Sequence, residues 1–564
     1  MDTVETDILV VGSGGGAMTA AVVAAGLGAK VIVAEKAPLF GGTSATSGGA
    51  IWIPNTHLQK DIPGFSDSAE DGYAYLKALV GDEVPDAKLR AYLDNAPRML
   101  LDMERKTRVR YRPINYADYH TDLPGAKTGY RTLEPLPIKA REVGEANYAK
   151  LRPIHPIASL MGMINWTMLE SKPLMTRRPG WQKMMAVTFL RYFLDLPRRL
   201  RRQRDGRITL GNALLSRLKL DADERGVELW LESPLQSLER DAEGRVGAAI
   251  VLRQGKPVRV AARRGIILGA GGFERNREMR ARHLGLDTPG EDSGSNPLNT
   301  GDAIRAGMAI GAKTDLMDAA WWAPCYRFEG EDRSYPMFME RALPGSIIVN
   351  GEGRRYMNEA ASYHSNGSTM VKLAAKGEPT IPSWYIFDAR FHSRYPLGPI
   401  LPLGPAGDRL LPDKIKRVMK KADSIAGLAR QIGCDPAVLE KTIRTFNGYA
   451  RTGVDLDFRR GEATYDQYYG DDAAKPNSCL APIAKPPFYA VPIHAGDIGT
   501  KGGLVTDVNG QVLDEEDRPI PGLYAIGNSS ASVMGRTYPG AGATIGPAMT
   551  FGWLAARHAM GAND

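Results

Sequence analysis

The chain has 564 residues, 43% hydrophobic and 24% charged. That balance excludes a disordered, fibrous or fully membrane-embedded protein, and at about 150 residues per domain the length allows three or four folding units. Lys+Arg 72 against Asp+Glu 64 leaves a net charge of +8, so the location of the surplus decides whether an anionic partner is implied. Three widely spaced cysteines, Cys325, Cys434 and Cys479, support neither a disulfide framework nor a closed zinc site; no metal is expected, and the cytoplasm is the expected compartment. A strand-like run begins by Asp7, and no signal peptide is expected.

Asp7–Val11 is a short, β-branched apolar run, followed at once by Gly12-Ser-Gly-Gly-Gly-Ala17 and an alanine-rich helical stretch from Met18 to Leu27. The spacing is G-x-G-x-x-A at Gly12, Gly14 and Ala17. The first glycine turns the chain, the second lets the backbone approach a pyrophosphate, and the small third residue lets helix and strand pack closely. Ser13, Gly15 and Gly16 complete a turn whose helix N-terminus faces phosphate. A second strand, Lys30–Ala34, ends in Glu35, 23 residues after Gly12, where a carboxylate can accept hydrogen bonds from a ribose diol; Lys36 follows it. The next loop, Gly41-Gly42-Thr43-Ser44-Ala-Thr-Ser47-Gly48-Gly49, is rich in glycine and hydroxyls and suits a second stretch of phosphate or a flavin edge. It favours a large dinucleotide.

Residues 138–205 have a different character. Ile157–Leu169 is apolar but too short for the roughly 20 residues that span a bilayer. Met184–Leu194 is apolar and helix-like, and Arg198, Arg199, Arg201, Arg202 and Arg204 follow. Between Ser171 and Arg204, ten basic residues face one acid, Asp195, a surplus of nine that exceeds the net charge of the whole chain. The basicity therefore belongs to one segment and not to a nucleic-acid-binding face. Apolar residues beside arginines suit an element that lies on anionic lipid; an oligomer contact or a helical lid over the site are the alternatives.

Thr209–Arg264 reads as a helix followed by strands, among them Val227–Leu231 and Val246–Leu252. Gly265-Ile-Ile-Leu-Gly-Ala270-Gly271-Gly272 is another buried strand ending in a glycine turn, and Gly522-Leu-Tyr-Ala-Ile-Gly527-Asn528 repeats the pattern. Three such strands, far apart in the chain, point to one composite site. Tyr395–Pro405, rich in proline and glycine, reads as a rigid loop or lid.

This arrangement resembles the FAD-containing flavoproteins of the fumarate reductase and 3-ketosteroid dehydrogenase superfamily. The C-terminal run Gly535-Arg-Thr-Tyr538-Pro-Gly-Ala-Gly542-Ala543-Thr544-Ile545 looks like the signature of 3-ketosteroid 1-dehydrogenases. Gly41–Asn55, Met317–Trp322, Arg341–Gly345, Val349–Arg355 and Gly499–Gly503 resemble further blocks of that family. The resemblance implies an α/β fold with a discontinuous Rossmann-like FAD-binding domain (1–296 and 490–564), carrying the insertion 138–205 and interrupted by an α+β catalytic domain (297–489). It implies that Tyr538 and the Gly542 N–H hold the steroid's 3-keto oxygen and that Ala543, Thr544 and Ile545 lie at the flavin. Tyr363, in Asn358-Glu-Ala-Ala-Ser-Tyr363, matches the family's general base. Tyr119 matches the tyrosine that assists it, with Tyr116 as the alternative because His120 departs from the family's second tyrosine.

The implied reaction removes a proton from carbon 2 and a hydride from carbon 1 of a 3-keto-4-ene steroid, with a quinone-like external acceptor. A proton lost beside a ketone leaves charge on oxygen, which two donors stabilise as an oxyanion hole does. A tyrosine with an ordinary pKa near 10 is only about 0.1% ionised at pH 7, a deficit of roughly 4 kcal/mol, so a hydrogen bond, a helix N-terminus or a cation must favour the phenolate. Aromatic residues such as Trp321, Trp322 and Tyr363 suit a ketone rather than the dicarboxylate of a fumarate-reductase-like enzyme. A 3-ketosteroid 4-dehydrogenase is the nearer rival, and a flavin-binding electron-transfer or scaffold protein the more distant one.

Overall fold

The computed structural model describes residues 1–160, 162–201, 203–286 and 290–562. Asp7–Val11 forms the end of the strand Asp2–Val11, whose residues Ile8, Leu9 and Val10 are fully buried on both faces, as a central strand of a covered parallel sheet requires. It pairs in parallel with Val31–Ala34 on one side and Lys256–Leu268 on the other. Glu228–Trp230 continues the parallel arrangement beyond Val31–Ala34, and Pro519–Ala525 runs beside Ile266–Leu268. The parallel strands therefore end at one edge, at Val11, Ala34, Leu268 and Ala525, which is where open α/β sheets bind ligands. Antiparallel Leu235–Arg240, Val246–Arg253 and Gln511–Leu513 complete eight strands among the described residues. On one face the helices Gly15–Gly26 and Ile545–Ala559 touch backbone to backbone, because a side chain at Gly16 would overlap the Ala548 carbonyl.

The second unit is a six-stranded antiparallel sheet in which Phe488–Thr500 pairs with Ser383–Asp388 along its first half and with Ala320–Tyr326 along its second. The boundary drawn at 489/490 falls inside this long strand. A buried ion-pair cluster of Arg355, Glu359, Asp455 and Arg460 ties the sheet to its outer loops, and Arg460 also donates to the carbonyls of Ser346, Arg341 and Leu343.

Among its described residues the 138–205 segment folds as short strands and five α-helices, Ala140–Val143, Glu145–Lys150, Met168–Thr176, Trp181–Leu194 and Leu196–Leu200. Met161 of the apolar run and Arg202 of the basic cluster lie outside the described residues. Val187, Leu190, Phe193, Leu194, Leu196 and Leu200 are exposed, Leu200 to 84%. The arginines correct the expectation that the cluster as a whole meets headgroups. Arg191 donates to Asn165 O, Arg198 pairs with Glu145, Arg199 stacks 3.8 Å from the Tyr192 ring, and Arg204 donates to the Tyr148 and Leu151 carbonyls and to Asn212. Carbonyls left over at the end of the helix Glu145–Lys150 need donors, and long guanidinium side chains supply them. Among the described residues, no helix is long and apolar enough to cross a membrane.

Candidate active site

At the end of the first strand, Gly12 adopts φ +100°, and a side chain there would overlap the Gly269 carbonyl, so only glycine makes this turn. The Ser13 hydroxyl donates to Glu35 Oε2 (2.6 Å) and accepts from Gly41 N (2.9 Å), while Glu35 Oε1 accepts from Ala37 N (2.8 Å). The carboxylate is thereby fixed at the end of the second strand. Gly15 N donates to Ser44 Oγ (3.0 Å), which joins the glycine turn to the hydroxyl-rich loop.

One elongated cavity of about 2170 Å³, including its open mouth, runs along this edge; it is lined by Gly12–Ala17, Glu35, Lys36, Gly42, Thr43, Ser44, Ser47, Gly48, Gly49, Ala270, Gly271, Gly527, Asn528, Thr544 and Ile545. Glycines leaving room at a helix N-terminus, a carboxylate at the strand end and a second hydroxyl loop are the set of groups that a dinucleotide needs. The residues fit FAD.

Three residues expected at the cofactor do not line the cavity. Gly41 supports Ser13 from behind, Gly272 packs against Thr500 and accepts from Gly301 N, and Ala543 is buried under the last helix. Asn296 and Asn299, not singled out from the sequence, do line it: Asn296 N (3.1 Å) and Asn299 Nδ2 (3.0 Å) donate to Thr43 Oγ1, and Asn299 Nδ2 also reaches Glu274 Oε1 (2.7 Å). The run Gly294-Ser-Asn-Pro-Leu-Asn299-Thr-Gly-Asp302, dense in turn residues, is the signal that could have found them.

The cavity continues between the two sheets into a cluster of tyrosines. The Tyr363 ring centroid lies 5.7 Å from Tyr119, 5.6 Å from Tyr538 and 5.0 Å from Phe338, and Tyr119 is 5.1 Å from Tyr538. Tyr363 is the first residue of the helix Tyr363–Ala374, capped by Ser362, whose Oγ accepts from Ser365 N (3.1 Å). Its side chain thus sits near the positive end of the helix dipole. The turn before it is pinned by buried Arg341, which donates to the carbonyls of Glu359, Ala361, Phe338 and Met337. The Tyr538 hydroxyl is 3.3 Å from Thr544 Oγ1 and lies beside the Gly542 N–H. Gly542 has φ +102°, and a side chain there would meet Ile51.

Burial pushes the pKa of Tyr538 up and those of Tyr119 and Tyr363 well up, because an ionised phenol loses its hydration in an apolar cluster. The Tyr119 hydroxyl is buried without a hydrogen-bond partner among the described residues. Its backbone is held firmly: Tyr119 N donates to Pro539 O (2.9 Å), and Asp118 accepts from Trp52 Nε1 (2.7 Å) and from Arg131 (2.8 Å), itself paired with Asp67. Tyr116 also lines the cavity, but its ring packs 6.2 Å from Tyr119 and its hydroxyl accepts from Tyr469 (3.0 Å), so Tyr119 and not Tyr116 stands against Tyr363.

The expected pairing of two tryptophans at the ketone is corrected. Trp321 packs 4.7 Å behind Tyr538, whereas Trp322 faces the core under the parallel sheet, because consecutive residues of the strand Ala320–Tyr326 point to opposite faces. Tyr468 and Tyr469, missed from the sequence, line the cavity; the run Tyr465-Asp-Gln-Tyr-Tyr469 was the legible signal. Ile157, Trp166 and Met168 bring the 138–205 segment to the cavity wall.

Comparison with known proteins places this geometry. Residues 7–545 match the FAD binding domain family. The chain is 38% identical to the 3-oxosteroid 1-dehydrogenase of Mycobacterium tuberculosis (strain ATCC 25618 / H37Rv), over 99% of each chain. The solved structure of 3-ketosteroid delta1-dehydrogenase from Sterolibacterium denitrificans, in complex with 1,4-androstadiene-3,17-dione, is 46% identical, with a TM-score of 0.94 over 99% of this chain and 100% of that one. The chain belongs to the 3-oxosteroid 1-dehydrogenase family of FAD-dependent oxidoreductases. The 3-oxosteroid 1-dehydrogenase of Comamonas testosteroni, 38% identical over 99% of this chain and 97% of its own, extends the match.

Proposed function

We propose that this chain removes hydrogen from carbons 1 and 2 of 3-keto-4-ene steroids, giving 3-keto-1,4-dienes, as a step in steroid breakdown. The observation that carries the reading is that Tyr363 and Tyr538 stand 5.6 Å apart, ring to ring, in one cavity with the glycine cradle. The Tyr538 hydroxyl and the Gly542 N–H hold the 3-keto oxygen and stabilise the charge that develops on it. Tyr363, as the phenolate, takes the proton from carbon 2 and becomes the neutral phenol, and the Tyr119 hydroxyl, lacking a partner of its own among the described residues, donates to that phenolate before the transfer. FAD, when bound, supplies the N5 atom that accepts hydride from carbon 1. Reoxidation falls to a quinone-like external acceptor.

Anaerobic mixing of the FAD-loaded protein with androst-4-ene-3,17-dione, cholest-4-en-3-one or succinate tests this. Bleaching of the flavin by the steroids with formation of the 1,4-diene is expected, and none with succinate. Bleaching only by 4,5-saturated 3-ketosteroids would transfer the assignment to 4-dehydrogenation, and no bleaching by any steroid would remove it.

We also propose peripheral contact with a lipid surface through the helices Trp181–Leu194 and Leu196–Leu200. Val187, Leu190, Phe193 and Leu194 recur at helical spacing on an exposed face, beside a segment that walls the cavity, and apolar steroids partition into lipid. With Arg191, Arg198, Arg199 and Arg204 turned inward, burial of apolar area rather than charge drives the contact. Sedimentation is expected with neutral phosphatidylcholine vesicles, weakly sensitive to salt, and to be lost in Leu190→Ser/Phe193→Ser/Leu194→Ser. Binding confined to anionic vesicles at low salt, or unchanged in the triple variant, would contradict it.

A further inference from the structure

Lys501 is fully buried, and among the described residues its ammonium pairs with no carboxylate. It donates instead to the backbone carbonyls of Gly535 (3.1 Å) and Thr537, and it lies 3.6 Å over the Trp321 ring, which packs on Tyr538. Both of these carbonyls belong to the turn that delivers Tyr538. The same turn is held at Arg536 O by His364 Nε2 (2.9 Å), and at Pro539 O by the Tyr75 hydroxyl (2.7 Å) and Tyr119 N (2.9 Å). The carbonyls of residues 535, 536, 537 and 539 are thus each engaged by groups from outside the turn, which fixes the backbone that carries Tyr538. Burying a lysine with no carboxylate is costly compared with an apolar residue of similar length, and the donor set at Gly535 and Thr537 is what the apolar residue would lack.

The backbone at Lys501 is itself locked: Lys501 O accepts from Ser532 N (3.1 Å), and a side chain at Gly502 would overlap Met317. Burial draws the lysine's pKa well down, with Glu83, Arg536 and His364 the charged or titratable groups nearby. Holding two carbonyls does not depend on the charge, since the neutral amine keeps two N–H donors.

We infer that Lys501 is the positioning residue of the keto-oxygen clamp: by holding Gly535 O and Thr537 O away from the cavity and bracing Trp321, it sets where the Tyr538 hydroxyl meets the substrate oxygen. The inference rests on the assignment of Tyr538 and Gly542 to that oxygen. Lys501→Met is expected to slow flavin reduction at saturating androst-4-ene-3,17-dione by about 10²-fold, the loss that follows a displacement near 1 Å, with FAD content unchanged and KM moved far less than the rate. It is also expected to weaken binding of estrone, whose phenolic ring A imitates the enolate, measured as a dissociation constant without turnover. Because Lys501 acts through Tyr538, the double variant Lys501→Met/Tyr538→Phe should be no slower than Tyr538→Phe alone. A multiplicative double variant, or Lys501→Met at the rate of the unaltered protein while Tyr538→Phe is slow, overturns the role of Lys501 and leaves the clamp standing. An indifferent Tyr538→Phe overturns both. Should the Met variant fail to fold, Lys501→Gln, which keeps one donor arm, carries the same comparison, with an intermediate rate and estrone affinity expected.

Discussion

Tyr363→Phe is expected to lower the rate of flavin reduction by steroid by ~10²–10⁴-fold, the contribution of a positioned general base, while FAD content and steroid affinity stay within a few-fold of the unaltered protein. Phenylalanine keeps the ring that packs on Tyr119, Tyr538 and Phe338, so only the proton acceptor is removed. The same residue sets the pH dependence. Burial raises the Tyr363 pKa; the base works when deprotonated, so activity is lost as pH falls and grows as pH rises towards that pKa, about tenfold per unit while the phenolate is the minor form. The neighbouring Tyr119 and Tyr538 phenols add to the rise, and the helix N-terminus at Tyr363 opposes it without changing its sign. Stopped-flow flavin bleaching from pH 6 to 10 measures this, and a flat profile with chemistry rate-limiting would rule out the phenolate.

Tyr538→Phe is expected to cost ~10²–10³-fold in the same rate, the effect of removing one oxyanion-hole donor. The loss should appear mainly in the chemical step and less in steroid affinity, since the charge on the 3-keto oxygen is greatest after carbon 2 has lost its proton. The remaining donor, the Gly542 N–H, depends on φ +102° and on Ile51 lying where a side chain would go. Gly542→Ala therefore disturbs the clamp by moving the backbone, whereas Tyr538→Phe deletes a hydroxyl and leaves the ring against Trp321. Single-turnover rates compared with the dissociation constant of the 1,4-diene product separate the two; equal losses in rate and affinity for Tyr538→Phe would mean that it binds substrate and product without favouring the transition state.

The cofactor cleft was readable because its parts are local. Gly12, Gly14 and Ala17 act through one turn, and Glu35 ends the strand that pairs with Asp2–Val11, so spacing along the chain stands in for distance in space. Gly41, Gly272 and Ala543 stand next to lining residues without lining the cavity themselves, and a one-residue step is enough to turn an atom from the cavity into the wall. Trp322 failed for the same reason on a strand. The exposed apolar face of 187–200 was legible as composition, but its arginines were not: the sequence shows their charge and hides the carbonyls of Tyr148 and Leu151 that Arg204 satisfies.

The sequence by itself determined the fold class, the FAD cradle and, through resemblance, the residue types of the tyrosine site. Only the tertiary structure decided that Tyr119 stands against Tyr363 while Tyr116 turns to Tyr469, that Tyr363 begins a helix, and that Lys501 reaches the turn before Tyr538. Residues 119, 363, 501 and 538 come from four distant stretches, and no periodicity records which hydroxyl or amine meets which carbonyl once two sheets close around a shared cavity.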